Sequence, residues 1–274
     1  MLAIITVVYR NYEILHDFID SLSKQSSSFY KVYFVDLTET DKKVIIPWIR
    51  KIEGKYSFIE TQNFGYAHGL NEGIKSALKD GLTRFALVNP DIVFDKDFVL
   101  HATQSISRHP KTLIGGKIYY AKGFEYHKDR YTEEEKGRVL WYAGGKIDWN
   151  HAMASHIGVD EVDSVKYSHM ENTSFVTGCL AIYDKSVHDI VGIWDTKYFM
   201  YYEDTDFSVR AARKKIPLIY DPSIVIYHKN AQSTGGSGSK MHEIWMKNSR
   251  MRFGMKYAPL RTKIHLFINK MFGR

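Results

Sequence analysis

The chain has 274 residues, 44% of them hydrophobic and 25% charged, enough apolar material for one catalytic-sized domain with an appendage. A lone cysteine, Cys179, excludes an internal disulfide framework and suits a reducing compartment, and no apolar run reaches the roughly 20 residues that span a bilayer. The net charge of +7 is concentrated: residues 240–274 hold nine Lys or Arg against one acid, Glu243, while residues 1–239 hold 29 against 30, unlike an evenly basic nucleic-acid binder.

Residues 2–9 are a β-branched apolar run, and Ile14, Leu15, Phe18, Ile19 and Leu22 recur at helical spacing, which predicts a strand followed by a helix over 12–23. The run lacks the basic leader of a signal peptide, so a cytoplasmic location is expected. Residues 31–35 predict a second strand ending at Asp36, and a helical stretch over 41–51 leads to a third strand at 57–60. A helix over 67–79 and a fourth strand over 84–88 follow. Strands alternating with helices predict an α/β fold with a parallel, doubly wound, Rossmann-like sheet, in which ligands bind beyond the carboxyl ends of the strands. The residues just past those ends are Tyr9, Arg10, Asp36, Asn63 and Asn89-Pro90-Asp91, a polar set fit to hold a nucleotide. There is no G-x-G-x-x-G and no Walker loop, so dinucleotide and ATP chemistry lack their usual signatures.

A helix over 95–109 is closed by Pro110, and the pattern then weakens from 119 to 163, a region rich in Tyr, Trp, Gly and His. Aromatics there suit stacking on sugar rings or ordinary core packing. Residues 175–183 predict a buried strand holding Cys179 as a structural thiol, and 184–190 a short helix. In the stretch from Tyr198 to Arg210, aromatics precede Glu203, Asp204 and Asp206, which fall in the first turn of a helix that carries Asp206 and Arg210 at i,i+4 spacing. A first-turn carboxylate stabilises any helix, but projecting into a cleft it is also a standing proton acceptor. Strands at 218–220 and 224–228 precede the loop 233–239, which either closes over phosphates or is a flexible linker, composition alone favouring the linker. In the tail, Leu260, Ile264, Phe267, Ile268, Met271 and Phe272 form an apolar stripe, with Arg261, Lys263, Lys270 and Arg274 largely off it. This basic amphipathic helix either packs on the domain or lies on an anionic membrane surface, and its charge favours the membrane.

Six segments fall in one order: Asn63 to Gly73, Leu87 to Asp91, Thr177-Gly178-Cys179, Val191 to Asp195, Tyr198 to Arg210, and Asp221-Pro222 with His228. Together they closely resemble the family-two glycosyltransferases of the GT-A fold, in particular a bacterial branch containing rhamnosyltransferases. The resemblance spans residues 2–239, so a GT-A domain over 1–239 and a basic helical tail over 240–274 are expected. It implies Asp204 as catalytic base; for Glu203 beside it, the sequence leaves open orienting Asp204 or contacting the acceptor. It implies Asp91 and His228 as ligands of a divalent ion, Mn²⁺ or Mg²⁺, bridging the donor diphosphate. Asp36, Thr6 and Tyr9 correspond to the pyrimidine pocket, and Asn63, Gly65, Asn71, Asn89 and Gly178 to the rest of the donor site. The family's D-x-D begins here with Asn89, leaving a single carboxylate, and its Arg-Asn pair reads Lys247-Asn248. The implied function is inverting transfer from a dTDP- or UDP-sugar, dTDP-rhamnose among them, to a glycan or lipid-linked glycan in cell-surface polysaccharide synthesis. The implied location is peripheral, at the inner face of the membrane. A sugar nucleotidyltransferase or a non-catalytic nucleotide- or glycan-binding module are the alternatives, the first wanting a basic Gly-rich phosphate loop that Thr6 to Arg10 does not supply.

Overall fold

The computed structural model describes residues 1–10, 12–38, 45–230 and 240–271. Strand β1 (Leu2–Val8) is buried along its whole length, with Leu2, Ile4 and Val8 in one core cluster and Ala3, Ile5 and Val7 in another. A strand covered on both faces has no polar side to show, which is why residues 2–8 read as a continuous apolar run. The chain continues through α1 (Leu15–Ser23), β2 (Tyr30–Asp36), α2 (Ile46–Ile49), β3 (Tyr56–Glu60), α3 (Tyr66–Lys79) and β4 (Arg84–Val88). Gly69 and Gly73 let α3 lie close on β1, since an added Cβ would come within 2.7 Å of Val7 and 2.4 Å of Ile5.

Next come β5 (Ile92–Phe94), α4 (Phe98–Arg108), β6 (Leu113–Tyr120), β7 (Leu140–Tyr142), β8 (Gly145–Asp148), β9 (Met153–His156) and β10 (Glu171–Asn172). The last elements are β11 (Leu180–Asp184), α5 (Lys185–Val191), α6 (Glu203–Arg213), β12 (Leu218–His228), α7 (Lys240–Tyr257) and α8 (Leu260–Met271). The main sheet runs β10-β12-β6-β11-β4-β1-β2-β3, with β5 against β12 and β7 against β6. One face of it buries α1 and α4, and the other buries α3, α5 and α6.

The expectation of a wholly parallel sheet is corrected. β3, β2, β1 and β4 are parallel, but β11 runs antiparallel to β4 and β6, and β5 and β10 antiparallel to β12. No α-helix separates the strands from β6 to β11, and β11 returns antiparallel, whereas β12, reached through α5 and α6, pairs parallel with β6. The strand expected over 175–183 begins only at Leu180, because Phe175 to Cys179 turn toward α6, where Gly178 and Val176 donate their N–H groups to Asp204 and Ser208. The two strands expected at 218–220 and 224–228 are one strand, β12, whose register shifts between Asp221 and Val225 around Pro222, which has no N–H to give a ladder. Of the helix expected over 41–51, the described residues form α2 and one following 3-10 turn, and residues 41–44 lie outside the described residues. Residues 119–163 hold β7 and the β8–β9 hairpin.

Cys179 is buried, and burial pushes its thiol well above the usual range, as suits a structural cysteine. The tail forms two helices. Phe253, Ala258 and Leu266 from it share a third core cluster with Ala152, Tyr198, Tyr202 and Val209. The segment 233–239 and Phe272 to Arg274 lie outside the described residues.

Candidate active site

At the carboxyl edge of β4, Asn89-Pro90-Asp91 turns the chain into β5, which pairs with β12 so that His228 stands opposite Ile92. That pairing fixes Asp91 beside His228: the Lys229 N–H donates to the Asp91 carbonyl at 2.8 Å, and His228 Nε2 lies 3.2 Å from Asp91 Oδ1. Both side chains are buried, at 1% and 4% exposure. His228 Nδ1 has no hydrogen-bond partner among the described residues. The Trp141 ring packs edge-on against both His228 and His156, 4.5 and 4.3 Å between centroids. His156 Nδ1 donates to the Trp141 carbonyl, and burial pushes its imidazole down to about 4, so it stays neutral.

Asp204 sits in the first turn of α6, where free backbone N–H groups favour a carboxylate. Its Oδ2 accepts from the Gly178 N–H at 2.8 Å, and its Oδ1 from the Thr205 N–H and hydroxyl at 2.6 and 3.1 Å. Burial raises the Asp204 pKa, and these hydrogen bonds oppose the rise by holding the ionised form. Glu203 has less such support, from its own backbone N–H. It is 5% exposed, its Oε2 has no partner among the described residues, and burial followed by the neighbouring Asp204 charge pushes it well above the usual carboxylate range. The adjacent acids are thus set apart, one held as an acceptor of hydrogen bonds and one whose burial makes it hold its proton more tightly. The turn that delivers them is strained, since Tyr201 and Tyr202 have φ of 67° and 65°, a conformation costing non-glycine residues about 1–3 kcal/mol each.

The Asn89–Asp91 turn and the loop that holds Asp204 are joined by a residue not singled out in the sequence. The Tyr66 hydroxyl lies 3.0 Å from both Asn89 Oδ1 and the Gly178 carbonyl, tying the end of β4 to the loop that holds Asp204. Its signal in the sequence is its place directly after Gly65. Gly65 adopts φ +96°, and an added Cβ there would lie 2.3 Å from the Phe199 carbonyl, which accepts the Tyr66 N–H. Asn63 Oδ1 accepts the Gly65 N–H and sets this turn.

The expected pyrimidine pocket lies across β1 and β2. Asp36 is buried, with Oδ2 taken by the Tyr12 hydroxyl and Oδ1 by the Thr38 N–H and hydroxyl, so the protein already engages both oxygens. Thr6 is paired in register with Val88, and its buried hydroxyl has no partner among the described residues. Tyr9 is exposed, with the Arg10 guanidinium 5.0 Å from its ring centroid. Asn71 lies on α3. Its carboxamide accepts the Trp194 N–H and donates to the Trp194 carbonyl, both at 2.9 Å, so it clamps the loop after α5 onto α3.

Among the described residues no group of three or more His, Cys, Asp or Glu is arranged to hold a metal ion. The Asp91–His228 pair offers one carboxylate oxygen and one imidazole nitrogen with an unengaged second ring nitrogen. That oxygen and nitrogen set suits Mn²⁺ or Mg²⁺ when a bound diphosphate completes the coordination.

The sequence profile of glycosyl transferase family 2 matches residues 3–191. No curated protein sequence matches the chain. Among solved structures, GalNAc-T7 with UDP, GalNAc and Mn²⁺ is similar at 12% identity and a TM-score of 0.71, covering 98% of this chain and 50% of that one. The mannosyltransferase PcManGT from Pyrobaculum calidifontis, in complex with GDP-Man and Mn²⁺, is similar at 16% identity and a TM-score of 0.58, covering 97% and 68%. S. aureus TarS is similar at 18% identity and a TM-score of 0.51, covering 81% and 36%. The chain thus spans half the length of the first of these, and at such identities the likeness is one of fold.

Proposed function

We propose that this chain, which belongs to glycosyl transferase family 2, moves a sugar from a nucleotide-diphosphate donor to a glycan or lipid-linked glycan with inversion. One observation carries the reading: through Gly178 and Tyr66, the hydrogen-bonded Asp204 is tied to the Asn89–Asp91 turn and its His228. A base and a diphosphate-facing pair are what a single displacement needs on opposite sides of a sugar. The acceptor oxygen forms its bond to the anomeric carbon and gives its proton to an Asp204 oxygen. The bond from that carbon to the diphosphate oxygen breaks, and its electron pair leaves with the nucleoside diphosphate. Asp91 and His228 would hold a divalent ion, which offsets the charge growing on the leaving group. Thr6, Tyr9 and Asp36 would face the nucleoside, with Asn63, Gly65, Asn89 and Gly178 shaping the sugar and diphosphate side.

The exposed face of α8 supports a peripheral membrane location near lipid-linked acceptors. Leu260, Ile264, Phe267 and Ile268 are 74%, 52%, 55% and 45% exposed, while Thr262 and Leu266 turn into the protein. Arg261 and His265 are exposed beside them, so apolar insertion and attraction to anionic lipid act on one helix. No helix among the described residues is long and apolar enough to cross a membrane.

The testing experiment is a screen of UDP-, dTDP- and GDP-sugars, dTDP-rhamnose included, for release of the nucleoside diphosphate with Mn²⁺ or Mg²⁺. Release from one donor, stimulated by an acceptor glycan, is expected. Binding of several sugar nucleotides with turnover of none would make the chain a binding module instead.

A further inference from the structure

One stripe of α7 grips the chain on both sides of the Glu203–Asp204 pair. Ser249, Phe253 and Lys256 recur at i, i+4 and i+7, on one helical face. Ahead of the acids, the Ser249 hydroxyl donates to the Met200 carbonyl at 2.7 Å, and the Phe253 ring packs 5.3 Å from that of Tyr202. Behind them, the Lys256 ammonium donates to Asp206 Oδ1 at 2.6 Å, and it also reaches Asp195 Oδ2, ahead of them, at 2.9 Å. The neighbouring Tyr257 hydroxyl also donates to Asp206 Oδ1, at 2.7 Å, while Arg210 Nε of α6 itself donates to Oδ2 at 2.7 Å. Asp206 is fully buried and lies two residues past Asp204, so the grip on its carboxylate bears on the same first helical turn.

The segment held ahead of the acids contains the left-handed Tyr201 and Tyr202. Such a conformation persists only where its surroundings over-determine it. The Tyr66 N–H, donating to the Phe199 carbonyl, holds this segment from the sheet side, and Ser249 and Phe253 hold it from the tail.

From this bracket we infer that Ser249 and Lys256 are positioning residues for the transfer reaction: α7 fixes the oxygens of Asp204 relative to the donor, making residues 240–257 part of the catalytic unit. The inference rests on Asp204 being the base. A carboxylate displaced by a fraction of an ångström still folds and still leaves the donor pocket intact, but meets the acceptor hydroxyl less often in reactive geometry.

The test compares K256M, K256R, S249A and D204N in the full chain, using the sugar nucleotide that the donor screen identifies. K256M is expected to lower kcat about 10- to 100-fold while leaving the donor KM within about two-fold. K256R, which keeps the charge on Asp206, should recover most of the loss, and S249A should lower kcat in the same direction by less. A K256M protein that melts earlier yet keeps the wild-type kcat would show that α7 only stabilises the fold, and would overturn the inference. If K256M does not fold, S249A decides, and a wild-type kcat in that variant overturns it. An inactive D204N beside fully active K256M and S249A defeats this inference alone, whereas an active D204N defeats the base assignment on which it stands.

Discussion

His228 Nε2 and Asp91 Oδ1 lie 3.2 Å apart on neighbouring, antiparallel-paired segments, both buried at the carboxyl edge of the sheet. Because β5 and β12 set this spacing by backbone register, the two side chains are held together by the fold itself. Chelation by EDTA should abolish diphosphate release, and Mn²⁺ or Mg²⁺ should restore it. His228→Ala should weaken Mn²⁺ affinity, followed by calorimetry with a non-hydrolysable donor, by at least about 10-fold. Full activity in EDTA, together with unaltered Mn²⁺ binding in His228→Ala, would refute the assignment.

Glu203 sets a pH dependence of stability. Its folded-state pKa is raised well above the model-peptide value of 4.5, with burial as the largest cause and the Asp204 charge next. The folded state therefore binds this proton more tightly than the unfolded chain. The resulting stability is present in full below pH 4.5 and declines as pH rises through the folded-state value. Glu203→Gln keeps a neutral, similarly shaped side chain and removes the titration. Urea midpoints measured from pH 5 to 9 should fall less steeply for Glu203→Gln than for wild type, and parallel curves would show that Glu203 does not titrate as its burial demands.

The exposed stripe of α8 can be changed without touching the core. Ile264 and Phe267 are 52% and 55% exposed, whereas Leu266 on the same helix is buried with Phe253 and Ala258. An Ile264→Glu, Phe267→Glu variant should fold with a stability change within roughly 0.5 kcal/mol per site. It should keep donor hydrolysis and lose sedimentation with phosphatidylserine vesicles, while wild-type binding weakens as salt rises. Equal vesicle binding by the variant would place the membrane contact elsewhere or dismiss it.

What could be read from the sequence followed from local chemistry. The apolar runs at Leu2–Val8 and Arg84–Val88 and the helical spacing around α1 and α3 located the parallel half of the sheet. Acids in the first turn of α6 were visible from spacing to Arg210, and the Asp206–Arg210 contact is present at 2.7 Å. Tyr66, Trp141 and Lys256 were not legible, because each acts on partners far along the chain. Tyr66 reaches Gly178 across 112 positions, and Lys256 reaches Asp206 across 50. Asn71 likewise is engaged far along the chain, where both ends of its carboxamide meet the Trp194 backbone. The antiparallel strands escaped because β11 and β5 are short and sit among turns, where an apolar run does not reveal its direction.

The most direct test of the account is Asp204→Asn, measured for kcat and for donor affinity by calorimetry. The substitution is nearly isosteric, and its carboxamide oxygen can still accept the Gly178 N–H that Asp204 Oδ2 accepts at 2.8 Å. Losing the proton acceptor should lower kcat by about 10²–10⁴-fold with donor affinity unchanged. Transfer within a few fold of the wild-type rate would contradict the assignment of Asp204 as the base.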